Sequence, residues 1–145
     1  MDTEHYRKLE TMYLGANVNT KVFDTTTCKI EAEKATITLD VSESYFHALG
    51  AIHGTVYFKM LDDAAYFAVS SVVKNCFMLT SSFNINILRP VSKGKLTAIG
   101  TLRYKSSSIF TGEATLYNQE GKEVAFGTGN FAKSKLLLSE EVGYK

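Results

Sequence analysis

The sequence predicts a single α+β domain in which an antiparallel sheet of about five to six strands wraps around one long helix. The long helix is indicated by an apolar segment with helical spacing from His53 to Val73. The sheet is indicated by several segments of alternating apolar residues, joined mostly by short polar turns that form hairpins. The 145 residues, of which 45% are hydrophobic, suit one domain over residues 1–145 with its own core.

The first predicted element is a short helix over about residues 3–14. Apolar residues recur there every three to four positions, as on the buried face of an amphipathic helix. Asp2 or Thr3 can cap its start, and Gly15 marks its end. We expect this helix to pack one face on the larger unit formed by residues 28–134.

Alternating segments then predict the strands of the sheet, which are Cys28–Val41, Phe77–Leu88, Leu96–Tyr104, Ile109–Tyr117 and Lys122–Phe131. Within the second of them, simple alternation places Leu79 and Phe83 on one face and Thr80 on the other. The chain after Ser134 shows no readable pattern.

Composition excludes several classes of function. The formal charge of +1, with scattered lysines, predicts no nucleic-acid partner. No continuous apolar span or secretory signal is visible, which predicts a cytoplasmic protein without membrane contact. Cys28 and Cys76 are too few for a disulfide framework, and the histidines at 5, 47 and 53 lack metal-ligand spacing, so we expect no metal.

Two neighbouring carboxylates, Asp62 and Asp63, stand inside the apolar helix. A carboxylate in such surroundings loses hydration that a charge or hydrogen bonds must replace. Asp62 is either a reacting group or the partner of Lys59 or Lys74 in a structural ion pair. Asp63 has Lys59 four residues before it on the same helical face, so its expected role is structural or solvent-facing.

Gly54 is predicted at the start of the same helix, where unpaired N–H groups and the helix dipole favour negative charge. Such a position can stabilise an oxyanion that develops on a carbonyl oxygen. Gly54 and Asp62 are eight residues apart, or about 12 Å along a helix, which is too far for both to contact one reacting carbon. If both act, they come from different subunits, and two antiparallel helices across a two-fold axis predict a homodimer.

Three segments together resemble the hotdog-fold acyl-CoA thioesterases of the phenylacetate-pathway type. They are HALGAIHGTVYFKMLDDAA, TSSFNINILRPVSKGKL and GKEVAFGTGNFA, and the resemblance covers about residues 28–134. It implies a hotdog fold, hydrolysis of acyl-CoA thioesters, and a homodimer or homotetramer. It also implies no separate cofactor, since coenzyme A is part of the substrate.

The resemblance assigns catalytic roles to four positions. The family's acidic residue, nine positions after the histidine of its His-Gly motif, falls on Asp62 when counted from His53. Gly54 corresponds to the residue whose backbone N–H contacts the thioester oxygen, with His53 shaping the helix start. The family's hydroxyl residue, ten positions before a proline, falls on Thr80. Because the acid is doubled, an alignment on the preceding leucine selects Asp63 instead.

The sequence departs from the family at two substrate-binding positions. His47 stands where the family has asparagine, and Thr55 stands where it has a second glycine. Tyr66, one turn after Asp62, is a candidate to line an acyl tunnel. Alternatively, Tyr66 is a residue of the hydrophobic core. Arg89, together with other lysines and arginines, is a candidate to bind the phosphates of coenzyme A. A solvated basic strand edge also explains these residues.

The leading hypothesis is therefore an acyl-CoA thioester hydrolase. A first alternative is a non-catalytic hotdog domain that binds acyl-CoA or another acyl ligand, in which His47 and Thr55 mark the loss of turnover. A second alternative is a hotdog dehydratase or hydratase, in which His47 or His53 faces Asp62 across the dimer.

Overall fold

A computed structural model describes residues 2–145 and has the predicted α+β architecture. One long helix packs against a six-stranded antiparallel sheet with strand order β1-β2-β4-β5-β6-β3. The elements are α1 (Thr3–Gly15), a π-helix (Val18–Val22), β1 (Thr27–Glu31), β2 (Lys34–Asp40), α2 (Gly54–Ser70), β3 (Cys76–Ile87), β4 (Lys95–Lys105), β5 (Ile109–Tyr117) and β6 (Glu123–Leu137). No helix among residues 2–145 is long and apolar enough to cross a membrane.

The first predicted strand, Cys28–Val41, is in fact a hairpin of two strands. β1 and β2 pair antiparallel, and Glu31 lies opposite Lys34 across a tight turn. Glu33 adopts a positive φ of 59° in this turn. Apolar residues fall on even positions up to Ala32 and on odd positions from Ala35, and this change of phase is the sequence signal of the turn.

A β-bulge in β3 overturns the predicted face of Thr80. The register with β6 shifts between Thr80 and Ser82, so that Ser81 is the extra residue. The bulge reverses the alternation, and Thr80 therefore lies on the same face as Phe83, toward α2. Leu79, which simple alternation grouped with Phe83, is instead half exposed.

Two glycines let α2 approach the sheet closely. A Cβ atom on Gly100 of β4 would lie 2.1 Å from the backbone oxygen of Ala64. A Cβ on Gly112 of β5 would lie 3.0 Å from the oxygen of Ala65. Both carbonyls belong to the turn of α2 that follows Asp62, so these contacts set the height of the site above the sheet.

The two ends of the chain meet at the end of α2. Asp2 accepts a hydrogen bond from the His5 backbone N–H and caps α1, and its carboxylate also pairs with Lys74. The buried His5 ring bonds the Ser70 carbonyl and the Tyr144 hydroxyl through its two nitrogens. The final strand extends to Leu137, beyond its predicted end at Phe131.

Candidate active site

His53 forms the N-cap of α2 and begins the helix at Gly54. Its ring Nδ1 accepts the Thr55 backbone N–H at 3.1 Å and lies 3.0 Å from the Thr55 hydroxyl. Because Nδ1 accepts a backbone N–H, the neutral ring carries its proton on Nε2. Thr55, which replaces the family's second glycine, thus bonds the capping histidine.

The backbone N–H of Gly54 is the first of the helix and has no intrahelical acceptor. No loop carbonyl or side chain among residues 2–145 accepts it either. It opens into a groove of about 340 Å³, which we call the Gly54 groove. The groove is lined by His47, Ile52, Gly54, Tyr57, Ile87, Leu88, Arg89 and Pro90. The helix therefore presents an unpaired donor to a concave surface at its positive end.

His47 and Arg89 both line the Gly54 groove. His47 accepts the Leu49 backbone N–H on Nδ1 at 3.1 Å, so its neutral ring also carries the proton on Nε2. Arg89 is exposed, and its carbonyl accepts the Tyr57 hydroxyl at 2.6 Å. The groove thus offers a neutral N–H donor and a cation beside the helix start.

Asp62 lies two turns further along α2, partly buried beside β3. Its carboxylate accepts the Thr80 hydroxyl at 2.9 Å, a contact that depends on the β3 bulge. Burial raises the pKa of Asp62 to about 6, and the charge of Asp63 adds to the rise, while the Thr80 hydrogen bond and Lys59 oppose it. No ion pair to Asp62 occurs within residues 2–145, so the predicted alternative of a pair with Lys59 or Lys74 is wrong.

Asp63 belongs to a separate, buried network. Its carboxylate pairs with Lys59 at 2.8 Å and accepts the Tyr13 hydroxyl at 2.6 Å. The Lys59 ammonium also donates to the Asn19 side-chain oxygen at 2.8 Å and lies 3.1 Å from the Tyr13 hydroxyl. The ion pair with Lys59 is the contact that the spacing predicted, and it occupies Asp63 rather than Asp62.

Asp62 lines a second groove, of about 450 Å³, which we call the Asp62 groove. Its wall is mostly apolar and combines one side of α2 with the start of β3 and the segment 16–19. Tyr66 lies in this wall, where its ring packs edge-on against Phe67 and its hydroxyl donates to the Met78 carbonyl at 2.7 Å. Tyr66 thus contributes to both the core and the groove.

The structure sorts the predicted site residues into two groups. His47, His53, Gly54, Thr55 and Arg89 gather at the start of α2. The second group, at its middle, consists of Asp62, Asp63, Tyr66 and Thr80. The two grooves have no lining residue in common, as the helical separation of about 12 Å requires.

Sequence reasoning missed two residues of the site, Tyr13 and Asn19. They reach α2 from the N-terminal segment, and Asn19 is held by a bond from its side-chain nitrogen to the Tyr13 carbonyl at 2.8 Å. The only signal in the sequence was the polar residue Asn19 itself. Asn19 is buried in the structure, but it does not belong to any regular spacing of apolar residues. Its partners are distant in sequence, so spacing alone did not identify it.

Comparison with known proteins places this geometry in a family. The model of the thioesterase superfamily matches residues 49–125, more than half of the 145 residues. A protein of Saccharolobus solfataricus named a putative esterase is 23% identical over 125 residues, which cover 86% of this chain and 89% of that protein.

Solved structures show the same fold. The E. coli PaaI protein, from the phenylacetic acid degradation operon, superposes with a TM-score of 0.84 at 20% identity, covering 94% of this chain and 98% of that one. A mutant of a thioesterase from Staphylococcus aureus gives a TM-score of 0.73 at 17% identity, covering 81% and 98%. The hotdog fold that the resemblance implied is confirmed. By its matched family model and its architecture, this chain belongs to the thioesterase superfamily.

Proposed function

We propose that the protein hydrolyses acyl-CoA thioesters at sites that two subunits share. Membership of the thioesterase superfamily makes thioester hydrolysis the class of reaction. The proposal of a site shared by two subunits rests on one observation, the presence of two incomplete half-sites on one helix. One is an unpaired N–H donor at Gly54, and the other is a carboxylate at Asp62 whose pKa is raised to about 6.

The position of β3 supports a two-fold arrangement of subunits. β3 stands at the edge of the sheet, so its outer side is available to a strand of a second subunit. Its first residues, up to Thr80, line the Asp62 groove, and its end from Ile87 lines the Gly54 groove. Antiparallel pairing of two β3 strands would bring each Asp62 groove beside the partner's Gly54 groove. The exposed Leu79 and Ile87 side chains would then be covered.

In the proposed reaction, the Asp62 carboxylate supplies the nucleophile. It either removes a proton from a water that attacks the thioester carbon, or attacks that carbon itself and forms an anhydride that water then cleaves. The C–S bond breaks, coenzyme A leaves as a thiolate, and the thiolate takes up the proton. Thr80 orients the carboxylate through its hydrogen bond. Because the thiolate is a good leaving group, no strong general acid is needed.

The partner's helix start polarises the thioester carbonyl. Gly54 donates its backbone N–H to the oxygen, where negative charge develops in the transition state. The Nε2–H of His47 is available as a second donor, in the role of the family's asparagine side chain. Arg89 lies in the same groove and offers positive charge to the phosphates of coenzyme A.

Complementation between two inactive variants tests the shared site. Asp62→Asn removes the carboxylate. Gly54→Pro removes the N–H donor at a helix position that favours proline, and the ψ of 150° at His53 suits a residue before proline. Each homodimer should lose about 10²-fold or more in kcat. A heterodimer purified through two different tags should recover about half of the wild-type activity, because one of its two sites combines an intact Asp62 with an intact Gly54.

Two controls sharpen this test. Gly54→Ala keeps the N–H, and its Cβ would meet Ile87 at an ordinary 3.6 Å, so it should retain much more activity than Gly54→Pro. A doubly tagged dimer with Asp62→Asn in both subunits should stay inactive. An inactive mixed heterodimer, or a monomeric wild type that still releases thiol from acyl-CoA, would contradict the shared site. Binding of acyl-CoA without thiol release would favour the non-catalytic alternative.

A further inference from the structure

The segment that follows α1 forms one wall of the Asp62 groove. Ala16, Val18 and Asn19 line the groove opposite Phe77, Met78 and Leu79 of β3. The matched region of the superfamily begins at residue 49, so this wall lies outside it. Val18 is 44% exposed, which is high for a valine and places its side chain at the open rim of an apolar groove.

The buried network holds this wall against the catalytic helix. Lys59 has three N–H donors, and Asp63, Asn19 and the Tyr13 hydroxyl accept one each. Asn19 in turn bonds the backbone carbonyl of Tyr13. Because every donor of the ammonium is satisfied and the pair is largely buried, the position of the segment relative to α2 is strongly determined.

The groove is large and elongated rather than compact. Its volume of about 450 Å³ is about three times that of a cavity that holds a benzene molecule. Its lining runs along α2 from Phe58 to Phe67, or about 14 Å, with Asp62 near the middle. An unbranched acyl chain matches this shape better than a single ring close to the carboxylate.

We propose that residues 16–19 limit the length of the acyl chain and that the groove accepts a medium-chain aliphatic acyl group. In this arrangement Val18 limits the room for the acyl chain from the rim of the groove, and the network of Lys59, Asp63 and Asn19 keeps its segment in place. The inference rests on the proposed function, since it places the acyl chain of the thioester in the groove next to Asp62.

Binding of hydrolysis-resistant thioethers tests the inference without turnover. We would measure the Kd of S-ethyl-CoA, S-octyl-CoA and S-dodecyl-CoA by calorimetry with the full chain. The wild type should bind the octyl compound more tightly than the ethyl compound. Val18→Trp should weaken octyl binding by about tenfold or more while leaving ethyl binding nearly unchanged. Val18→Ala should shift the preference toward the dodecyl compound.

Val22→Trp is the matched control, because Val22 lies one turn further on, is 53% exposed and does not line the groove. It should bind like the wild type, and thermal melting should show that both tryptophan variants fold. Equal affinities of the wild type for ethyl and octyl compounds, or equal losses in both tryptophan variants, would overturn the inference. A wild type that selects the octyl compound but releases no thiol from octanoyl-CoA would overturn the proposed function alone.

Discussion

The two adjacent aspartates differ because their side chains leave the helix in different directions. Asp63 turns toward α1 and meets Lys59 and Tyr13, whereas Asp62 turns toward β3 and meets the hydroxyl of Thr80. Asp63 therefore has an opposite charge to offset its burial. Asp62 is left with one neutral hydrogen bond, and burial raises its pKa to about 6. A carboxylate whose pKa lies near neutrality is suited to accept a proton during a reaction.

The raised pKa of Asp62 predicts the pH dependence of hydrolysis. If the ionised carboxylate is the active form, kcat/KM, which reports the free enzyme, should increase with pH through a midpoint near 6. Thr80→Val removes the hydrogen bond that favours the ionised form, so the midpoint should move to higher pH, with activity partly regained in alkaline buffer. The measurement is kcat/KM against pH for both proteins with one acyl-CoA.

Ser81→Ala provides the control for this profile. Its hydroxyl donates to the Asn130 carbonyl and makes no contact with Asp62, so the midpoint should stay where it is in the wild type. An unchanged midpoint in Thr80→Val would show that the hydroxyl does not act on the titrating group.

Among the structural elements, the contact of α2 with the sheet is the least tolerant of change. Gly100 faces only backbone atoms of Ala64 and Ala65, and a backbone cannot rotate away as a side chain can; Gly112 faces the Ala65 carbonyl and the side chains of Ala65 and Val69. Helix α2 rests on these two glycines just beyond Asp62. Strand β3 also positions a residue beside Asp62, since its bulge directs Thr80 toward the helix.

Gly100→Ala tests this contact between elements. The added methyl group would lie 2.1 Å from the Ala64 oxygen, so α2 must shift, and the free energy of unfolding should decrease by about 1–3 kcal/mol or more. Hydrolysis should decrease as well, because Asp62 moves with the helix. Chemical denaturation and kcat/KM would be measured together. Gly15→Ala is the control, since a Cβ there meets nothing within 4 Å, and an equal loss in both variants would contradict the explanation.

At the scale of the whole molecule, the candidate site opposes folding. The pKa of Asp62 is higher in the folded protein, at about 6, than its ordinary value of 3.8. Folding therefore favours the protonated form, and ionisation of the folded protein carries an energetic penalty. That penalty is absent well below pH 3.8, grows between pH 3.8 and about 6, and is complete above pH 6.

Asp62→Asn should therefore stabilise the protein in alkaline buffer. The free energy of unfolding should increase by about 1–3 kcal/mol at pH 8, and the gain should shrink as the pH falls below the pKa of Asp62. Thermal or urea unfolding at pH 8 and at pH 4.5 would measure the difference. Asp63→Asn is the matched control and should destabilise at pH 8, because it leaves the Lys59 ammonium buried without its counter-charge. A loss of stability in Asp62→Asn at pH 8 would contradict the burial of an ionised carboxylate.

The sequence by itself determined most of the elements and which polar residues stand on α2. Helical spacing located Gly54–Ser70 to within one residue at its start, and alternation found β4, β5 and most of β3 and β6. The positions of Gly54 and Asp62 followed as well, because their separation is a property of the helix alone. These are local features, which the order of residues along one element contains.

Only the tertiary structure decided which side chains meet. Alternation placed Thr80 on the wrong face, since one extra residue in a strand is visible only against its partner strand. Tyr13 and Asn19 contact Lys59 from 46 and 40 positions away in the sequence, and no local period encodes such contacts. The different surroundings of Asp62 and Asp63, and hence the raised pKa of Asp62 alone, arise from this packing because hydration and neighbouring charge depend on all the elements that cover a group.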